Sequence, residues 1–137
     1  DGKLWVNVIT RAAMTSVKGK PYSVTPVNTA GSVEFEPVAP ATLAVLAYIG
    51  CPQKDNFQAN EVVPLLVGGE GYMLVDGTAN VDIGDYIEVI NAGVAGIEDG
   101  TTRSVNSIAM AMEAYTDTTP VLKLVKFLGV PAQIAAA

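Results

Sequence analysis

The sequence predicts an all-β fold: one domain, an antiparallel β-barrel or sandwich with an extended N-terminal segment. Three observations predict it: about seven to nine short runs with strand-like character, turn residues between them at close spacing, and few credible helical stretches. The pattern is clearest over residues 65–89, LLVGGEGYMLVDGTANVDIGDYIEV, where apolar runs are separated by Gly68-Gly69, Asp76-Gly77 and Gly84-Asp85. Asp-Gly between alternating apolar residues favours a hairpin, because its central positions tolerate positive φ and its twist matches that of paired strands. A compact β-meander is therefore expected here, with the rest of the chain built onto it.

At 137 residues the chain fits one domain and can bury about two-thirds of its unfolded surface. Hydrophobic residues make up 50% and charged residues 16%, with mean hydropathy +0.35, which leaves apolar area beyond the needs of one core and suggests burial against other chains. Cys51 is the only cysteine, so no internal disulfide can form, and it reads as a small buried apolar side chain. The net charge of −6 argues against nucleic acid as a partner, since phosphate binding draws on Lys and Arg, and here only Lys18 and Lys20 stand close together. No run approaches the roughly twenty apolar residues of a spanning helix, so no membrane partner is expected. The chain opens Asp1-Gly2-Lys3-Leu4, without an initiator Met or a signal-peptide pattern, as when a leader is removed or left outside the numbering.

From the N-terminus, KLWVNVIT over residues 3–10 alternates Leu4, Val6 and Val8 against Lys3, Trp5 and Asn7 and reads as a strand. Trp5, the only Trp, is either a core plug or an anchor on another surface. Residues 11–42 change character: Pro21, Pro26, Pro37 and Pro40 interrupt them, leaving short strand candidates at Tyr22-Ser23-Val24 and Val33-Glu34-Phe35. Prolines remove ladder donors and hold the chain extended, so the segment can lie along a surface but cannot join the middle of a sheet. A long loop packed on its own domain and an extended arm both remain open, although loops of this length are uncommon unless functional. Residues 43–49 are apolar on both faces, as a buried strand or a short helix would be; Gly50-Cys51-Pro52 stops them too soon for a normal helix and favours the strand, and a polar loop follows over 53–60 with Phe57 in its middle. Residues 61–67 form a strand in which Pro64 belongs at an edge or a bulge. Beyond the meander, residues 91–102 are Gly-rich; residues 107–115 alternate Ile108, Met110 and Met112 on one face, which favours a strand although Ala and Met also suit a helix; and VLKLVKFL over 121–128 is the last strand. The expected division is an extended Pro-rich segment over 1–42, a possible arm, then a β-domain over 43–129 and a mobile tail over 130–137.

With no His in the chain, Ser-His-Asp and Cys-His arrangements and His-bearing metal sites are excluded. Any enzymatic role would fall to carboxylates. Asp76, Asp82, Asp85 and Glu88 could converge at a hairpin end, the raw material of a glycosidase pair or a Ca²⁺ site. Their order does not reproduce EF-hand spacing, however, and solvated turn carboxylates are the commoner case. Gly68-Gly69-Glu70-Gly71 lacks the Lys-Ser/Thr and helix of a P-loop and reads as a β-turn with a bulge. No catalytic residue, metal or cofactor is expected, and the chain is read as a non-enzyme.

The run Val62-Val63-Pro64-Leu65-Leu66-Val67-Gly68-Gly69-Glu70-Gly71-Tyr72, then Val75-Asp76-Gly77-Thr78-Ala79-Asn80 and Gly84-Asp85, and later Ser107-Ile108-Ala109-Met110-Ala111-Met112-Glu113-Ala114, resembles the capsid cement, or head-decoration, proteins of tailed bacteriophages. The resemblance covers roughly residues 43–128 and leaves 1–42 without a counterpart. It implies a structural virion protein that binds the outside of an expanded phage head, usually as a homotrimer, with the major capsid protein and its own copies as partners. On that reading Trp5, Tyr22 and Phe35 are candidate capsid contacts of an arm, a role resting on composition, and Leu122, Leu124 and Leu128 are candidate trimer-interface residues. Two other readings remain open. One is a virion or cell-surface β-module binding a carbohydrate or a protein ligand, although the aromatic residues form no cluster in the sequence. The other is a carboxylate-dependent enzyme built on Asp76 to Glu88.

Overall fold

The computed structural model describes residues 2–29, 32–41 and 46–136, with backbone alone over 25–29 and 32–34. It holds nine strands: β1 (Leu4–Ile9), β2 (Tyr22–Thr29), β3 (Ser32–Val38), β4 (Ile49–Gly50), β5 (Val62–Val75), β6 (Tyr86–Glu88), β7 (Ile97–Gly100), β8 (Ala109–Ala111) and β9 (Val121–Leu128). A six-stranded sheet runs β1-β5-β9-β8-β6-β7 and a three-stranded one β3-β2-β4. Every strand pair is antiparallel, and neither sheet closes into a barrel. Of the two architectures expected, the sandwich-like one fits. Residues 43–45 of the strand expected at 43–49 lie outside the described residues, and of the remaining four only Ile49 falls in a strand, β4.

The sheet is assembled on β5, and β5 is bent. Its first half pairs with β1, from Ile9 opposite Val62 to Leu4 opposite Gly68, with a register shift between Leu4 and Trp5. Its second half pairs with β9, from Gly68 opposite Leu128 to Val75 opposite Val121. Across the bend, Cys51 exchanges both backbone hydrogen bonds with Leu66 (2.9 and 3.2 Å). Two residues on, the Gln53 amide takes the Tyr72 N–H on Oε1 (2.8 Å) and donates Nε2–H to the Tyr72 carbonyl (2.9 Å). Six residues of straight strand cover about 20 Å, whereas two residues and a Gln side chain reach little more than half of that. The chain must therefore fold back at Gly68-Gly69, where Gly69 has φ +89°. A Cβ on Gly71 would overlap the Leu66 side chain, so only glycine lets the two halves of β5 close on each other.

The meander expectation needs correcting on this point. Gly68-Gly69 is the corner of one strand and not a turn between two. Nor does Asp76-Gly77 form a hairpin: residues 76–85 turn without strand pairing apart from the Val81–Tyr115 bridge, and β6 returns beside β7 and β8. The partner of β5 is β9, about fifty residues on, because VLKLVKFL offers an eight-residue register that no nearby run matches.

Two apolar clusters result. The larger gathers Leu66, Met73, Val75, Ile87, Val89, Val125 and Phe127 with Ile49 and Cys51. The smaller lies against the other half of β5, with Val8, Val17, Tyr22, Phe57, Val63 and Leu65. In β8 it is Ala109 and Ala111 that face the larger cluster, while Met110 is only partly covered, so the Ala face and not the Met face is the inner one. Small residues are needed where β8 packs beneath Phe127, opposite Ala109.

The N-terminal residues are in contact with this domain. β1 is an edge strand of the large sheet, and Arg11 reaches Asn60 (2.9 Å) and Glu36 (3.9 Å). β4 covers β2 only at Tyr22 and Ser23, so among the described residues β3 is the only strand paired at Pro26. Residues 130–136, for which a mobile tail is expected, are seated: Ala132 and Ile134 are buried in the larger cluster, and Ala132 and Ala135 form bridges with Ala47 and Ile90. The alternation of Ala132 and Ile134 with polar or small neighbours is what lets so short a stretch bury one face.

Replacing Gln53 with Leu keeps the side-chain volume but leaves both Tyr72 peptide groups without their partner. A loss of about 1–2 kcal/mol of folding stability is expected, read as a lower urea midpoint with an unchanged slope.

Candidate functional site

β9 carries three of the residues singled out from the sequence. Val125 and Phe127 point into the core, so by alternation Leu122, Leu124 and Leu128 point the other way. Register places Leu122 opposite Leu74, Leu124 opposite Tyr72 and Leu128 opposite Gly68, with Leu4 beyond Gly68 on β1. Leu4 (46%), Tyr72 (43%) and Leu122 (37%) are well exposed. The result is an apolar sheet face that the described residues leave open. Lys126 and Glu70 stand opposite each other in its midst, and Lys18 holds its ammonium 5.7 Å from the Tyr72 ring centre.

The three residues proposed for an arm fall in different settings. Trp5 is 42% exposed and Phe35 53%, whereas Tyr22 belongs to the smaller core cluster. Burial first, and then the neighbouring Cys51, pushes the Tyr22 hydroxyl above its ordinary pKa, and Lys20 sits 5.6 Å from its ring centre. The Tyr22 ring is thus spent on the fold.

Trp5 lines an open groove of about 580 Å³ with Asn7, Gln53, Lys54, Phe57 and Pro64. Trp5, Asn7 and their register partners Leu66 and Pro64 share the face of β1 and β5 turned away from Leu4. The loop carrying Lys54 and Phe57 is held against this edge by the Met14–Phe57 backbone pair (2.7 and 2.8 Å) and by Asp55, whose carboxylate accepts the N–H groups of Val17 (2.8 Å) and Lys18 (2.7 Å). Phe57 is buried as the groove's floor, and the Lys54 ammonium lies 4.9 Å from its ring centre. Sequence reading named Trp5 but not the groove, because residues 5 and 57 meet only through a pairing with no local signal.

The four carboxylates considered for catalysis are taken up separately. Asp76 accepts the Thr78 N–H (2.9 Å) and hydroxyl (2.5 Å), which hold its carboxyl below the ordinary value. Asp85 is buried and accepts the Asp82 N–H (2.9 Å), while Asp82 itself is exposed. Glu88 turns to a different partner, Asp99 on β7, which also accepts the hydroxyls of Ser104 (2.8 Å) and Ser107 (2.6 Å). Burial first, then the hydrogen-bonded Asp99 carboxyl, pushes Glu88 up to about 7, with Asn106 pulling the other way. Among the described residues no cluster of His, Cys, Asp or Glu could hold a metal ion. The Cys51 thiol is fully buried, and burial pushes its pKa up, which keeps it a thiol.

No family model matches the sequence, and no curated protein matches it. Among solved structures, the fold is similar to the N base of the head fibre gp8.5 of bacteriophage phi29, at a TM-score of 0.48 and 7% identity, over 96% of this chain and 98% of that one. A superposition of that quality bears on neither activity nor partners.

Glu88 gives a pH signature with a definite sign. Its folded pKa of about 7 lies above the ordinary 4.5, so between those values the folded chain binds more proton than the unfolded one, and stability falls as pH rises through that window. Thermal melts of Glu88→Gln should diverge upward from wild type between pH 4.5 and 7 and run parallel above it.

Proposed function

We propose that this chain is a non-enzymatic structural protein of a phage virion, which binds the outer surface of the expanded head as a homotrimer and reinforces the shell. The sequence resemblance to cement proteins supports the reading. The observation that carries it is the apolar face of β5 and β9, where Tyr72, Leu122, Leu124 and Leu128 stand outward from a sheet whose other face buries Met73, Val75, Val125 and Phe127. A lone globular domain gains nothing from leaving Leu and Tyr side by side on a rigid face, whereas a subunit of an assembly buries them.

The mechanism is mass action on a lattice. Each copy makes modest contacts with the major capsid protein, and three copies joined together multiply those contacts through effective concentration. Because only the expanded lattice presents the site, binding stabilises that lattice in proportion to the logarithm of saturation. Leu122, Leu124 and Leu128 hold the copies together, and Phe35, exposed on the N-terminal segment, meets the capsid.

Mixed with undecorated expanded heads at micromolar concentration, the protein should pellet with them and not with unexpanded ones. Light scattering should give the mass of three chains, falling to one for Leu122→Glu combined with Leu128→Glu. A monomeric wild-type protein that stays in the supernatant overturns the reading.

A further inference from the structure

The groove at Trp5 is separate from the apolar face, since Leu4 and Trp5 are successive residues of one strand and point to opposite sides of it. Its volume, about 580 Å³, falls within the roughly 300–1,000 Å³ of small-ligand clefts. The walls are fixed: Gln53 is clamped to the Tyr72 backbone, Pro64 lies in the β1–β5 ladder opposite Asn7, and Phe57 is paired with Met14. Three features remain unspent. The indole of Trp5 is partly exposed, and the Asn7 side chain and the Lys54 ammonium have no hydrogen-bond partner among the described residues.

An apolar occupant would cover Trp5 but would offer nothing to the exposed Asn7 amide and Lys54 ammonium beside it. A ligand that suits all three has one flat C–H face to stack on the indole, hydroxyls for the Asn7 amide, and a negative charge for Lys54. Asn7 lies two residues from Trp5 on the same strand face, about 6.7 Å along it, close to the width of one sugar ring. The charge matters in a chain of net −6, where an anion is repelled unless a particular cation receives it. The geometry points to a binding site for an acidic saccharide, a uronate-containing oligosaccharide, with Trp5 as stacking platform, Asn7 as hydroxyl partner and Lys54 as carboxylate partner. The site is independent of head binding, because it uses the opposite side of β1 and needs neither a trimer nor a capsid.

Trp5 is the chain's only Trp, so its fluorescence reports on the groove alone. The purified protein is titrated with tetrasaccharides of glucuronate, galacturonate and mannuronate, and with neutral cellotetraose. The expected result is a saturable change in Trp emission with at least one uronate tetramer, binding about tenfold weaker to Lys54→Gln, as befits loss of one charged hydrogen bond. Asn7→Ala should weaken binding as well, while Lys123→Gln, on β9, leaves it unchanged. Calorimetry on Trp5→Ala, with folding checked by circular dichroism, should give no binding heat. Silence toward all three uronates overturns the assignment, and so does equal binding of cellotetraose or an unaltered response in Lys54→Gln.

Discussion

The bend in β5 is the constraint on which the rest of the structure depends. A fourteen-residue strand that ran straight would present one face along its whole length and build one core. Folded at Gly68-Gly69, it offers its two halves to different neighbours, β1 to the first and β9 to the second; Val63 and Leu65 of the first half join the smaller apolar cluster, while Leu66 joins Met73 and Val75 of the second in the larger. Glycine is required on the inside of the corner, at Gly71, because any Cβ there meets Leu66. Backbone bonds from Cys51 and the side-chain amide of Gln53 then lock the corner from within. The apolar face and the groove both inherit their positions from this corner: the apolar face lies along the second half, and the groove opens beside the first.

What could be read from the sequence was the face of each strand, and what could not was its partner. Alternation of Val125 and Phe127 against Leu122, Leu124 and Leu128 says which residues share a side, whatever strand lies alongside. The same alternation is satisfied by a neighbouring hairpin or by a strand fifty residues away, so the Asp76-Gly77 turn signal favoured the local choice and the longer register of β9 won. Gly68-Gly69 was ambiguous for a related reason, since glycine marks a reversal and a bulge alike. The burial of Ala132 and Ile134 had only a weak local signal, as two apolar residues among alanines are as compatible with a frayed end as with a seated one.

The candidate sites divide along the same line. That Leu122, Leu124 and Leu128 share one side of their strand was legible because an eight-residue strand displays its two faces openly. Tyr22 was not: its place in the core follows from β2 meeting β4 and from the smaller cluster closing over it, both long-range events. Phe57, Lys54 and Gln53 sat in what reads as a polar loop, and nothing local tells that one of them floors a groove and another substitutes for a strand. The Glu88–Asp99 contact was hidden likewise, because the sequence grouped Glu88 with its chain neighbours and the β6–β7 pairing gave it to β7.

The energetics of the apolar face bear on how an assembly built from it would form. Its principal residues are already half covered, so finishing their burial is worth about 1 kcal/mol each, a fraction of the 1.5–3 kcal/mol for a fully exposed side chain. Five or six such residues return about 5 kcal/mol, near the lower limit of what it costs two molecules to surrender their free motion. A single pair of faces is therefore marginal. A closed ring changes the balance, since each copy then makes two interfaces and the last contact is made within one particle. The same reasoning applies again on a lattice, where a ring touching several subunits needs no strong contact with any of them. Modest faces, repeated and closed, can hold together what no single pair of them would.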